Sequence, residues 1–169
     1  MNTPPDDAVV IRPFAPGDAQ AFHDLNLAWI VAHFQPESKD EATLSDPEGT
    51  ILAPGGQILL AEIGGRSVGC VALMPMPDGP INCYEVAKMA VTPEAQGRGV
   101  GRRLLEAAVA WARDRGARRL YLESNARLAP ALRLYESAGF RHLPPESSLV
   151  SPYARADIFM EMLWEDETP

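Results

Sequence analysis

The chain has 169 residues, 46% of them hydrophobic, and a formal net charge of -8. That length supports one domain with a sizeable core, and the acidic balance argues against general nucleic-acid binding. No apolar run approaches the ~20 residues of a membrane span, and Met1-Asn2-Thr3-Pro4-Pro5-Asp6-Asp7 lacks the basic-then-apolar pattern of a signal peptide, so a cytoplasmic protein is expected.

Residues 1–7 are expected to form a flexible N-terminus. Val9 to Phe14 reads as a first strand. Pro16-Gly17-Asp18 then opens a helix with Asp18 as N-cap, and apolar residues recur through Phe22, Leu25, Leu27, Trp29, Ile30 and Phe34. A second helical piece runs from Pro36 to Leu44. Ser45 to Gly49 and Ala53 to Gly56 are turn-rich and read as loop. Three strands follow: Gln57 to Ile63, Ser67 to Met74, and about Asn82 to Val91. Gly64-Gly65-Arg66 joins the first pair, and a break centred on Asp78-Gly79 joins the second. An antiparallel meander is the simplest arrangement.

The pattern then changes. Val100, Leu104, Ala108 and Trp111 recur at helical spacing up to Gly116. Arg119 to Glu123 is a short strand. Pro130 opens another helix, whose apolar face holds Ala131, Leu134, Tyr135 and Ala138 and whose C-cap is Gly139. Phe140 to Leu143 and Ala156 to Leu163 are the last strands, followed by an acidic tail, 165–169. The order βαα-βββ-αβ-αββ predicts one mixed α/β domain with a largely antiparallel sheet flanked by helices.

Cys70 and Cys83 lie inside apolar runs and form no C-x-x-C pair, so buried reduced thiols are expected. His23, His33 and His142 have no metal spacing, and no metal is expected. Seven of the 15 basic residues lie between Arg98 and Arg119. A local basic strip on an acidic chain suggests a small anionic ligand with several phosphates. The plainer alternative is that Arg102, Arg103, Arg113 and Arg115 solvate an exposed helix face.

The chemistry concentrates at Gln96-Gly97-Arg98-Gly99-Val100-Gly101, which links a strand to a helix. Glycines let the backbone approach a ligand and adopt positive φ. The first N–H groups of a helix lack partners inside it, and the helix dipole favours an anion there. Such a turn holds a pyrophosphate with backbone donors alone. A dinucleotide fingerprint fails because Arg102 stands three places after Gly99, and a Walker A loop fails for want of Gly-Lys-Ser/Thr.

Gln96-x-x-Gly99-x-Gly101, after Ala90-Val91-Thr92-Pro93, resembles the central acetyl-CoA motif of the GNAT (Gcn5-related N-acetyltransferase) family. Asn125, followed by Ala131-Leu132-Arg133-Leu134-Tyr135-Glu136-Ser137-Ala138-Gly139-Phe140, resembles the family's helix-four signature. The resemblance covers roughly residues 8 to 164 and is most specific over about 85 to 140. It implies a GNAT-like fold whose sheet splits after the fourth strand. It also implies acetyl transfer from acetyl-CoA to a primary amine of a small molecule or peptide, by direct attack in a ternary complex.

By the same resemblance, backbone groups of Met89, Ala90 and Val91 hold the pantetheine arm and the oxyanion. The turn Gln96 to Gly101 with Arg102 holds the pyrophosphate, and Asn125 touches the pantetheine or orients the end of the fifth strand. Tyr135 is the candidate proton donor to the leaving thiolate, against a plain reading as a core tyrosine. Two carboxylates compete as base: Glu85, on one strand face with Ala87 and Met89 by alternation, and Glu123, at the end of the fifth strand. Otherwise they are exposed or salt-bridged glutamates, with Lys88 and Arg119 as partners. The acceptor is read by residues 16 to 56 and 141 to 156, which hold Trp29, His33, Phe34, Tyr153 and Arg155. A homodimer stays open. The alternatives are a non-catalytic acyl-CoA-binding or sensing domain, and an acyltransferase for a larger acyl group.

Overall fold

The computed structural model describes residues 7–77, 82–144, 151 and 153–164. The Asp78-Gly79 turn, nearly all of the N-terminal segment and the acidic tail lie outside them. The described elements, in order, are β1 (Val9–Pro13), α1 (Ala19–His33), α2 (Ser38–Ser45), β2 (Gln57–Ile63), β3 (Arg66–Pro75), β4 (Cys83–Val91), α3 (Val100–Asp114), β5 (Arg119–Ser124), α4 (Ala129–Ala138), β6 (Arg141–His142) and β7 (Ile158–Leu163). The expected order holds, with two additions. A single π-helical turn spans Glu48–Leu52, where the turn-rich residues suggested loop, and a 3₁₀ turn spans Pro93–Ala95.

One mixed sheet runs β1-β2-β3-β4-β5-β7-β6. Every neighbouring pair is antiparallel except β4 and β5, which run parallel. The sheet is flanked by helices on both faces and splits after β4. On one face α3 presents Val100, Leu104, Leu105, Ala108 and Ala112, all buried at helical spacing. They pack on Leu59, Val71, Leu73, Val86, Leu120 and Leu122. On the other face Phe22 and Ile30 of α1 pack on Ile58, Leu60, Cys70, Ala72 and Ala90. Each strand of the meander thus splits its residues between two cores, which fixes its register. Cys70 and Cys83 are free and buried, as expected.

Asp18 occupies the N-cap position but does not cap α1. Its carboxylate instead accepts both guanidinium nitrogens of Arg12, at 2.7 and 3.0 Å, and the amide of Ala15, at 2.7 Å. The arginine offers two charge-assisted bonds and a full positive charge where a helix amide offers one bond and a partial charge. Among the described residues no helix is long and apolar enough to cross a membrane.

Candidate active site

β4 and β5 stay paired only from Cys83–Arg119 to Glu85–Tyr121. Beyond Glu85 the strands part, and among the described residues the edge of β4 that faces β5 has no strand partner. A cleft of about 1030 Å³ opens at this fork. Its walls include both strands, α1, the 96–102 turn, α4 and the segment around Tyr153 and Arg155.

The turn supplies one side. Gly97 and Gly99 are left-handed, at φ 80° and 76°, and Gly99 is the residue before α3. Apart from the glycine and its chain neighbours, no atom of the described residues lies within 4 Å of where either Cβ would sit, so backbone conformation, not crowding, requires glycine. The first helical bond belongs to Arg103, whose amide donates to the Gly99 carbonyl at 3.1 Å. No acidic side chain or side-chain cap occupies the start of α3. The N–H groups of residues 97–102 have no hydrogen-bond partner among the described residues and can face an anion. Gln96, Gly97, Gly99, Gly101 and Arg102 line the cleft. The other two side chains of the motif turn elsewhere. Val100 is buried in the α3 core, and Arg98 donates to the Asp7 carbonyl at 3.0 Å. Any contact they make in the cleft is through the main chain.

Strand alternation puts Glu85, Ala87 and Met89 on one face, but the structure does not. The β3–β4 register slips between Cys70 and Ala72, so Lys88 and Met89 together oppose Val71. This bulge holds Lys88 at φ 54°. Past it the faces exchange. Ala90 packs with the α1 core, whereas Met89 and Val91 pack with the α3 core. Met89 is therefore on the opposite face from Glu85.

Glu85 and Glu123 both line the cleft. Their expected cationic partners are engaged elsewhere. Lys88 Nζ donates to Asp40 at 2.8 Å, and Arg119 pairs with Glu161 at 2.7 Å. Glu123 accepts the Tyr121 hydroxyl at 3.0 Å on one oxygen and the Ser151 hydroxyl on the other. Glu85 has no hydrogen-bond or ion-pair partner among the described residues. Burial, reinforced by the Glu123 charge and opposed by Lys88 and Lys39, pushes its carboxyl up to about 7. At neutral pH such a group both accepts and releases protons.

Tyr135 lines the cleft from α4, half-buried, with its ring 6.2 Å from that of Phe140. Burial pushes its phenol up to about 12, and among the described residues its hydroxyl has no hydrogen-bond partner. It stays protonated and free to donate. Asn125 spends its amide within the protein, donating to the Arg155 carbonyl at 2.7 Å and accepting from the Arg127 amide at 2.9 Å. It thereby ties the end of β5 to the 153–156 segment. His23 pairs with Asp24 and His142 with Glu136, away from the cleft. His33 lines the cleft instead, packed on Trp29 at 4.9 Å between ring centres. Among the described residues no cluster of His, Cys, Asp or Glu could hold a metal ion.

Sequence reasoning missed the polar cluster beside Glu85. Asp40 gathers Lys88 and, at 2.7 Å on each oxygen, both guanidinium nitrogens of Arg155. Nothing local marks these residues: they lie 48 and 115 positions from Asp40 in sequence.

Comparison with known proteins matches residues 19–140 to the family model described as the acetyltransferase (GNAT) family. The chain is 33% identical over 138 residues to a mycothiol acetyltransferase of Pseudarthrobacter chlorophenolicus, covering 79% of this chain and 43% of that protein. It is 34% identical over 90 residues to an uncharacterized N-acetyltransferase, YjgM, of Escherichia coli, covering 53% of this chain and 54% of that protein. The chain thus spans about half the length of these relatives. A GNAT-family acetyltransferase of Staphylococcus aureus superposes with TM-score 0.82 at 19% identity, covering 92% of this chain and 99% of that one. YncA of Salmonella typhimurium, a putative acetyltransferase solved with its cofactor acetyl-CoA, superposes with TM-score 0.75 at 23% identity over 96% and 98%.

Proposed function

The chain belongs to the acetyltransferase (GNAT) family, and from that membership we propose that it transfers an acetyl group from acetyl-CoA to a primary amine of a small molecule or peptide. The observation that carries this reading is that one cleft holds both a row of free helix-start amides and a carboxyl poised near neutrality. The first suits a pyrophosphate and the second an amine proton.

In the proposed reaction the neutral amine attacks the thioester carbonyl inside a ternary complex. The C–N bond forms as the C–S bond breaks. Glu85 accepts the proton that the amine nitrogen loses. Backbone donors among Met89, Ala90 and Val91, on the open edge of β4, hold the oxyanion. The Tyr135 hydroxyl donates to the leaving thiolate. Glu123, its oxygens held by Tyr121 and Ser151, acts through its charge to keep Glu85 basic. Direct attack is favoured over an acetyl-enzyme because neither cysteine lines the cleft and burial pushes the Cys70 thiol up to about 12.

Thiol release from acetyl-CoA, followed across a panel of small amines, aminoglycosides, amino acids and peptides, tests the reading. Release with at least one amine, matched one for one by acetylated product, is expected. Tight acetyl-CoA binding with no release across the panel would favour a sensing domain, and release only with a longer thioester would favour a larger acyl group.

The turn has its own test. Alanine at position 99 would cost about 1–2 kcal/mol in the left-handed region, which the free turn sheds by relaxing and acetyl-CoA must restore. Gly99→Ala is expected to weaken acetyl-CoA about 5- to 30-fold by calorimetry, with turnover at saturating cofactor nearly unchanged. Unchanged affinity would remove the turn from the binding site.

A further inference from the structure

The bulge in β4 brings a lysine onto the face that carries Glu85. Regular alternation would send Lys88 to the opposite face. Its left-handed backbone returns the side chain to the α1–α2 side, where Nζ reaches Asp40 at 2.8 Å and the Tyr153 hydroxyl at 2.9 Å. The two charges are almost wholly enclosed, with side chains 6% and 2% exposed. Yet Glu85, on the same strand and also in the cleft, keeps no partner among the described residues. Lys88 and Glu85 feel each other's charge, but the ammonium bonds Asp40 instead.

Asp40 stands at the third position of α2, where its carboxylate accepts the Glu37 amide at 2.9 Å in a capping box. Arg155 then binds it through both guanidinium nitrogens. Arg155 is itself steadied by Glu37 at 3.2 Å and by the Tyr153 ring, 4.4 Å away. Asp40 is thus fixed in place and held ionised, well below the usual carboxylate range, against the cost of its burial.

We propose that Asp40 is a positioning residue: by anchoring the Lys88 ammonium on α2 it prevents a Lys88–Glu85 ion pair and leaves the Glu85 carboxylate open to the cleft. The inference rests on Glu85 being the base proposed above. The groups that act on Glu85 are Glu123 and Tyr121 from β5, Lys88 from β4, Lys39 from α2, and Tyr153 from the segment after β6. Of the cations among them, Lys88 is the buried one, and Asp40 restrains it. Glu123 accepts the Tyr121 and Ser151 hydroxyls, one on each oxygen, and among the described residues makes no ion pair with Lys88.

The test titrates the carboxyl itself and needs no acceptor. Glutamate side-chain ¹³C shifts are followed against pH in the full chain, and the Glu85 resonance is assigned by its loss in Glu85→Gln. In Asp40→Asn the freed ammonium turns to Glu85, and an ion pair at that range lowers a carboxyl by about 1–3 pH units. The Glu85 midpoint is expected to fall by about one pH unit or more. Asp40→Asn/Arg155→Met removes one charge of each sign, so it serves if the single variant does not fold, and the same fall is expected. Lys88→Met leaves Asp40 paired with Arg155 and is expected to raise the midpoint. A Glu85 midpoint that stays put or rises in the Asp40 variants would overturn the inference. The base role fails separately, if Glu85→Gln keeps the parent's rate profile.

Discussion

Glu85→Gln is expected to lower kcat/KM by about 10²- to 10⁴-fold, the usual contribution of a positioned general base. The substitution keeps the shape and removes the proton acceptor. Its second signature is in the pH profile. Burial and the Glu123 charge raise the Glu85 carboxyl to about 7, so the base is protonated and idle below that pH and active above it. In the parent, kcat/KM therefore rises through about pH 7. In Glu85→Gln that rise disappears, and only the titration of the amine substrate remains. Glu123→Gln makes the complementary case. It removes the negative neighbour that holds Glu85 up, so the same rise moves to lower pH without vanishing. A Glu85→Gln enzyme with the parent's rate and profile would transfer the base role to another group.

Tyr135→Phe has the next largest expected effect. The phenol, pushed up to about 12 by burial, is a poorer acid than a thiol, whose reference value is about 8.5. In the proposed reaction it therefore serves as a hydrogen-bond donor to the developing thiolate rather than an acid that surrenders its proton outright. A hydrogen bond to a charged group contributes about 1.5–3 kcal/mol, which converts to a loss of about 10- to 150-fold in kcat. Acetyl-CoA affinity is expected to change little, because the charge arises only as the C–S bond breaks. The hydroxyl has no hydrogen bond to lose among the described residues and phenylalanine keeps the ring that packs on Phe140, so the fold is expected to survive the substitution. Unchanged kcat would make Tyr135 a packing residue on α4.

Much of this architecture is legible in the residues because it is local. The turn Gln96 to Gly101 carries its glycines, its helix start and its lack of an acidic cap within six positions. The α3 stripe Val100, Leu104, Ala108 repeats at helical spacing. What escaped is non-local or masked by composition. The π-helical turn at Glu48–Leu52 lies among Ser45, Asp46, Pro47 and Gly49, residues that ordinarily mark a loop. The bulge at Lys88 had no signal, because a lysine in the left-handed region is rare and neither glycine nor asparagine marks the site. Missing it inverted the facing of Met89 and hid the neighbour of Glu85. The Asp40 cluster joins α2, β4 and the segment after β6, and only the folded sheet brings those three together.

Direct transfer from acetyl-CoA to an amine in a ternary complex, as proposed above, is tested by initial rates with both substrates varied, for an amine that the panel yields. Double-reciprocal lines that intersect, with no acetylated protein detected by mass spectrometry, are the expected result. Parallel lines together with a protein heavier by one acetyl group would contradict it, since they would place a covalent acetyl-enzyme on the path.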